Sequence, residues 1–246
     1  MHETLQREID HFIEHHVMSH GTSVFGMSID SFMLILIPAL LISLAFALRF
    51  RISRVPHGLL CAAEAYVVFI RDHIVYSNFG VQEGRRFVSF FCTLFLFVAS
   101  ANLLGLVPAF AAITGNLSVT AALALIFLSV TLGGALYLRG PVKTFHAFIP
   151  SGLPPALKPF MFIMEAVSLF ARAFALAIRL FGNMLAGHIV IYSLLSLVLL
   201  FGYAASPALL MVVIMYCFET FVALLQAYIF TLLSAIFMNM IINPGH

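Results

Sequence analysis

Between Pro159 and Pro207, and again between Pro207 and Pro244, the chain runs without proline through segments made chiefly of Ala, Leu, Phe, Ile and Met. No proline breaks a helix over 160–200 or 207–243, and both segments are too apolar for a helix surrounded by water. At 1.5 Å per residue, helices over 160–200 and 207–243 would measure roughly 60 Å and 55 Å, against a hydrocarbon core of about 30 Å. Protrusion would expose apolar helix to water. The lengths therefore predict a pair inclined about 60 degrees from the membrane normal, where membrane helices average about 20 degrees. Something must hold such a pair down, which points to a surface pressed against another large membrane body.

Composition supports the membrane reading. The 246 residues are 63% hydrophobic and 9% charged, with mean hydropathy +1.10, whereas a soluble domain carries roughly 25% charged residues. Other candidate spans are residues 31–50, which contain Pro38, and residues 87–107 and 117–138; each is close to the roughly 20 residues a bilayer needs. Residues 54–75 are interrupted by Glu64, Arg71 and Asp72 and read as an amphipathic helix lying in the interface. The prolines and basic residues of 139–158 read as a loop. The expected fold class is an all-α integral membrane protein: about five spanning helices plus one interfacial helix, the last two long and steeply tilted as an antiparallel hairpin. Residues 1–28 form a separate polar, His-rich segment, and 29–246 form one membrane domain.

Basic residues give an orientation. If residues 54–75 do not cross, Arg49, Arg51, Arg54, Arg71, Arg85, Arg86, Arg139, Lys143 and Lys158 fall on one side and Arg7 on the other. The positive-inside rule then puts the N-terminus outside and the C-terminus in the cytoplasm. The N-terminus shows no basic region, short apolar run and cleavage site in series, so no cleavable signal peptide is expected.

Several function classes are excluded by the same residues. A net charge of +2 spread along the chain makes no basic stripe, so no nucleic-acid partner is implied. No GxxxxGK[ST] pattern occurs, so nucleotide chemistry must lie elsewhere. Cys61, Cys92 and Cys217 sit in apolar runs without CxxC spacing and read as buried free thiols, neither disulfides nor metal ligands. His11 and His15 stand at the i, i+4 spacing of a helical metal pair, but they read as part of a solvated terminal helix, and no metal site is expected. No cofactor is expected.

The informative polar residues lie inside the two long stretches. An arginine near the bilayer centre costs a few kcal/mol or more, so Arg179 in "ALAIRLFGNMLAGH" is expected to be functional. With the hairpin turn near residues 203–204, His188 and Glu219 lie at similar depth, nearer the outer turn, while Arg179 and Gln226 share a deeper level. Glu165, Arg172 and Arg179 recur at seven-residue spacing on one helix face, with Asn183 one turn further and His188 about 180 degrees round. Each residue also has a purely structural reading. His188 with Glu219 can be a buried pair fixing the hairpin, Arg179 can snorkel, Asn183 and Gln226 can be interhelical glue, and Glu165 with Arg172 can be solvated.

Together they suggest proton handling. A His/Glu pair at partial depth can pass protons along an aqueous path. Arginine stays protonated and so acts electrostatically, favouring an ionised carboxylate opposite it and obstructing a leak. No acid of this chain stands opposite Arg179 at its depth, which points to a carboxylate on another subunit. The rival classes are a stand-alone secondary transporter, for which internal repeats and broken helices would be expected, and a structural membrane scaffold.

"RLFGNMLAGH" at 179–188, the preceding "MEAVSLFARAFALAI" and "ETFVALLQAYIFTLLSAIF" at 219–237 closely resemble subunit a of the F-type ATP synthase. "SIDSFM", "NLLGLVPAF", "NLSVTAALAL" and "FHAFIPSGLPPALKP" extend the resemblance along most of the chain, excluding the first 28 residues. The resemblance implies a non-catalytic proton-channel subunit of a rotary motor, working against a ring of c subunits. It also implies b-type peripheral-stalk subunits, the remaining ATP synthase subunits and the lipid bilayer as partners. Arg179 matches the family's essential arginine, Asn183 and Gln226 its polar neighbours, and His188 and Glu219 its outer half-channel pair. Glu165 matches a further family acid. A bacterial inner membrane is the expected location, with the mitochondrial inner membrane as the alternative.

Overall fold

The computed structural model describes residues 23–24, 27–49, 58–107, 113–147, 154, 157–201 and 206–242. His11 and His15 lie outside the described residues. Two two-residue strands, Ser23–Val24 and Met27–Ser28, pair antiparallel. They lead into α1 (Ile29–Arg49), α2 (Leu59–Ile70), a π-helical turn at Arg71–Tyr76, and α3 (Ser77–Gly84). Then come α4 (Val88–Gly105), a 3₁₀ turn at Ile113–Gly115, α5 (Leu117–Ala147), α6 (Lys158–Phe201) and α7 (Ser206–Ile242). The fold is that of an all-α integral membrane protein, with four described helices long and apolar enough to cross a bilayer. These are Val88–Gly105, Leu117–Tyr137, Lys158–Val198 and Leu209–Ile242; α1 carries a shorter apolar run, Phe32–Ala47.

Proline and glycine set the helix boundaries. Pro159 and Pro207 each stand second in their helices, where a missing N–H costs nothing because first-turn donors have no intrahelical partner. From there α6 runs 44 residues and α7 runs 37 without interruption. In α5, Gly140 breaks the helix at φ 77° ahead of Pro141, a left-handed conformation that glycine adopts without steric cost. Helical backbone resumes through Ala147, and Thr144 donates to the Gly140 carbonyl at 2.9 Å. The start of the stretch expected to be loop is therefore helical, because proline at the first turn of a new segment favours helix. Likewise the segment expected to lie at the interface does not stop near residue 75: helix continues to Gly84, with a second left-handed glycine at Gly80.

Packing divides the chain into two units. One comprises Met1–Ser53, Leu96–Asn116 and Phe181–Ala227, with Leu106, Met184 and Ala223 buried together beneath Leu103. The other comprises Arg54–Phe95, Leu117–Leu180 and Tyr228–His246. There Ala124, Ala173 and Ala177 form an interface of small side chains, the composition that lets helices approach closely where lipid removes the hydrophobic drive. Gly134 belongs to the same logic, since a Cβ there would lie 2.9 Å from Met238 Cε.

Outward-facing positions are apolar. Phe170, Phe174 and Ile178 of α6 and Phe218 and Phe221 of α7 are all exposed, a surface suited to lipid and a liability in water. This corrects the expectation for the cysteines: they are free, but Cys61 and Cys217 are exposed and Cys92 is half-buried. Apolar neighbours imply an interior position only where the solvent is water.

Candidate functional site

In the first unit, α6 and α7 bring together two of the expected residues. His188 Nδ1 lies 3.6 Å from Glu219 Oε1, with the histidine side chain 18% exposed and the glutamate 5%. Nδ1 also sits 2.8 Å from the Met184 carbonyl, and Nε2 sits 3.1 Å from the Gly105 carbonyl at the end of α4. A neutral imidazole carries one N–H and can donate to only one of these oxygens; the imidazolium can donate to both. The ring is thus fixed from two sides, with a carboxylate beside it. Both Glu219 oxygens are buried and accept no hydrogen bond among the described residues.

Two residues missed from sequence complete this arrangement. Gly187 is one: a Cβ on it would overlap the Glu219 carboxylate, so the glycine gives that side chain its space. An interior helical glycine costs about 1 kcal/mol relative to alanine, and that local penalty was the available signal for a close approach. Asn102 of α4 is the other, 1% exposed, its Nδ2 donating to the Ala223 carbonyl of α7 at 3.1 Å. Its signal was a lone amide in an otherwise apolar run. Gln226 is also buried, with an unpartnered Nε2 among the described residues, and Asn183 is half-buried on α6.

The second unit holds Arg172 and Arg179. Arg179 is exposed and makes no ion pair or hydrogen bond among the described residues. With Arg172, Ser168, Leu176, Leu233 and Phe237 it lines a cleft of about 270 Å³ with largely apolar walls. Arg172 differs from it in being occupied. Its guanidinium lies 3.5 Å from Glu165 Oε1, 5.4 Å from the Phe237 ring centroid and 3.9 Å from Met240 Sδ. Outside the spans, Tyr66 donates to the Cys92 carbonyl at 2.6 Å, and burial pushes its hydroxyl up from the ordinary phenol value. A neighbouring Arg71 at 2.7 Å holds Asp72 below the usual carboxylate range.

A protein-family model described as "ATP synthase A chain" matches residues 31–239. The chain belongs to the ATP synthase A chain family. A relative from Myxococcus xanthus, named ATP synthase subunit a, is 42% identical over 74% of this chain and 61% of its own length. One from Beijerinckia indica is 37% identical over 98% of this chain and 96% of its own, and one from Azorhizobium caulinodans is 36% identical over 98% and 97%. The chain therefore spans nearly all of some A-chain relatives but only about half to three-fifths of others. All six expected site residues, Glu165, Arg179, Asn183, His188, Glu219 and Gln226, fall inside the region matched by the A-chain model.

Proposed function

We propose that this A-chain family member is the proton-translocating stator subunit of an F-type ATP synthase in a bacterial inner membrane. Its partners are a ring of c subunits, b-type stalk subunits and the rest of the complex. It offers two offset half-channels against the ring. Protons enter from outside past His188 and Glu219 and neutralise a ring carboxylate. They leave to the cytoplasm after nearly a full turn, with Glu165 on the way and Asn183 and Gln226 as polar lining. Arg179 opposes the ring carboxylate and separates the half-channels, so a proton cannot cross without rotation. About 2.3 kcal/mol is available per charge per 100 mV, so several protons must be coupled to each ATP.

The observation that carries this reading is Arg179: a permanent cation, exposed beside an apolar cleft, with no counter-ion among the described residues. Its cost is recovered only if a partner brings the carboxylate. In vesicles holding the whole complex, Arg179→Ala should abolish ATP-driven proton pumping; wild-type pumping by that variant would end the proposal. Purification separates the other readings. Copurification with a ring and soluble catalytic subunits supports the stator, whereas solute transport by the isolated chain would support a secondary transporter.

A further inference from the structure

The first unit contains a buried polar seam that the His188–Glu219 pair does not account for. Asn102 Oδ1, both Glu219 oxygens and Gln226 Nε2 are all buried and make no hydrogen bond among the described residues. They are not scattered. Asn102 Nδ2 is fixed to the Ala223 carbonyl, and Ala223 stands four residues after Glu219 and three before Gln226, which puts all three on one face of α7. One turn on from Asn102, the Gly105 carbonyl meets His188 Nε2. Leu103 and Leu106 pack with Met184 and Ala223 and hold α4, α6 and α7 together at this level.

Orphaned buried polar atoms are rare, and several aligned in one seam call for water. With Nδ2 committed to Ala223, Asn102 turns its carbonyl oxygen the other way, as an acceptor for such a water. We propose that Asn102 is a positioning residue of the outer half-channel, anchoring water between Glu219 and Gln226 so that protons pass beyond the His188–Glu219 pair. The amide itself exchanges no proton. A proton released by the Glu219 carboxylic acid is taken up by the neighbouring water, which passes one of its own onward, leaving the carboxylate to be reprotonated from the His188 side. This role rests on the stator reading above.

The test uses the whole complex in vesicles, with passive proton conduction measured after the catalytic subunits are stripped and normalised to assembled complex. Asn102→Leu keeps the branched shape and removes both polar atoms; Asn102→Ser loses the reach to Ala223 but leaves a hydroxyl and room for water. Conduction by Asn102→Leu should fall roughly tenfold or more, while Asn102→Ser should stay near wild type. A purely structural amide predicts the reverse pattern: both variants assemble poorly and conduct normally per assembled complex, and that result overturns the proposal. Should Leu prevent assembly, Asn102→Val, with one heavy atom fewer, takes its place under the same criterion. An Arg179→Ala control, whose ATP-driven pumping is read on the intact complex before the catalytic subunits are stripped, separates the two levels. If it pumps normally the stator reading fails, whereas dead Arg179→Ala with fully conducting Asn102→Leu or Asn102→Val refutes only the role of Asn102.

Discussion

Gly187 and Glu219 approach so closely that any side chain at residue 187 would occupy the space of the Glu219 carboxylate. Helix propensity alone favours Gly187→Ala by about 1 kcal/mol. The contact argues the opposite. The variant should melt no higher than wild type and should lose much of its proton pumping, because the carboxylate must swing away from His188. A higher melting temperature with intact pumping would show that Glu219 needs no such space.

The His188–Glu219 pair should behave as one unit. With one partner removed, the other keeps its burial and loses its neighbour, so most of the damage comes with the first substitution. His188→Ala and Glu219→Ala should each lower passive proton conduction roughly tenfold or more, and the double variant should be little worse than the poorer single. A double-mutant cycle on conduction measures this; additive losses would mean that the two groups act independently.

This pair was legible in the sequence because the hairpin arithmetic needs only a turn position and two uninterrupted helices. Gly187 and Asn102 were not. A helical period says which residues share a face, but not that a backbone must be bare for another helix's carboxylate, nor that an amide on α4 reaches Ala223 of α7. The helix at 141–147 was hidden for a local reason, since Gly140-Pro141 reads as a stop and is also how a new helical segment starts. Cysteine exposure is not legible in the sequence, because apolar neighbours mark an interior position only in water-soluble folds.

Gly140 carries the clearest backbone constraint. At φ 77° and ψ 165° it occupies a region almost exclusive to glycine, which costs an L residue about 1–3 kcal/mol. Gly140→Ala should lower thermal stability by about that amount although nothing lies within 4 Å of the added Cβ. Melting of the purified protein in detergent measures the difference, and an unchanged midpoint would place the residue in an ordinary conformation.

Arg172 and Glu165 should separate in their effects. Their ion pair is partly open to the surroundings, with side chains 22% and 38% exposed, so its net contribution is in the range of about 0–1 kcal/mol. Arg172 additionally covers Phe237 and Met240, adding about 0.5–1 kcal/mol of cation–π and stem packing. Arg172→Ala should therefore destabilise more than Glu165→Ala in thermal melts; equal losses would leave the ion pair as the only interaction of consequence.

Charge alone is not enough at residue 179. Lysine keeps a cation there but is a compact ammonium that loses its proton readily when desolvated, whereas guanidinium stays protonated and presents its donors as a fork to a carboxylate. The walls beside Arg179 are largely apolar, built by Leu176, Leu233 and Phe237, and a ring docked over them would remove water from the cation. Under those conditions a lysine can hand its proton on and connect the two half-channels without rotation. Arg179→Lys should therefore lose coupling: ATP-driven pumping collapses while ATP hydrolysis by the assembled complex continues. Pumping and hydrolysis are measured on the same vesicles. Full coupling in the lysine variant would mean that a positive charge suffices at residue 179, and that the permanence of the guanidinium charge plays no part.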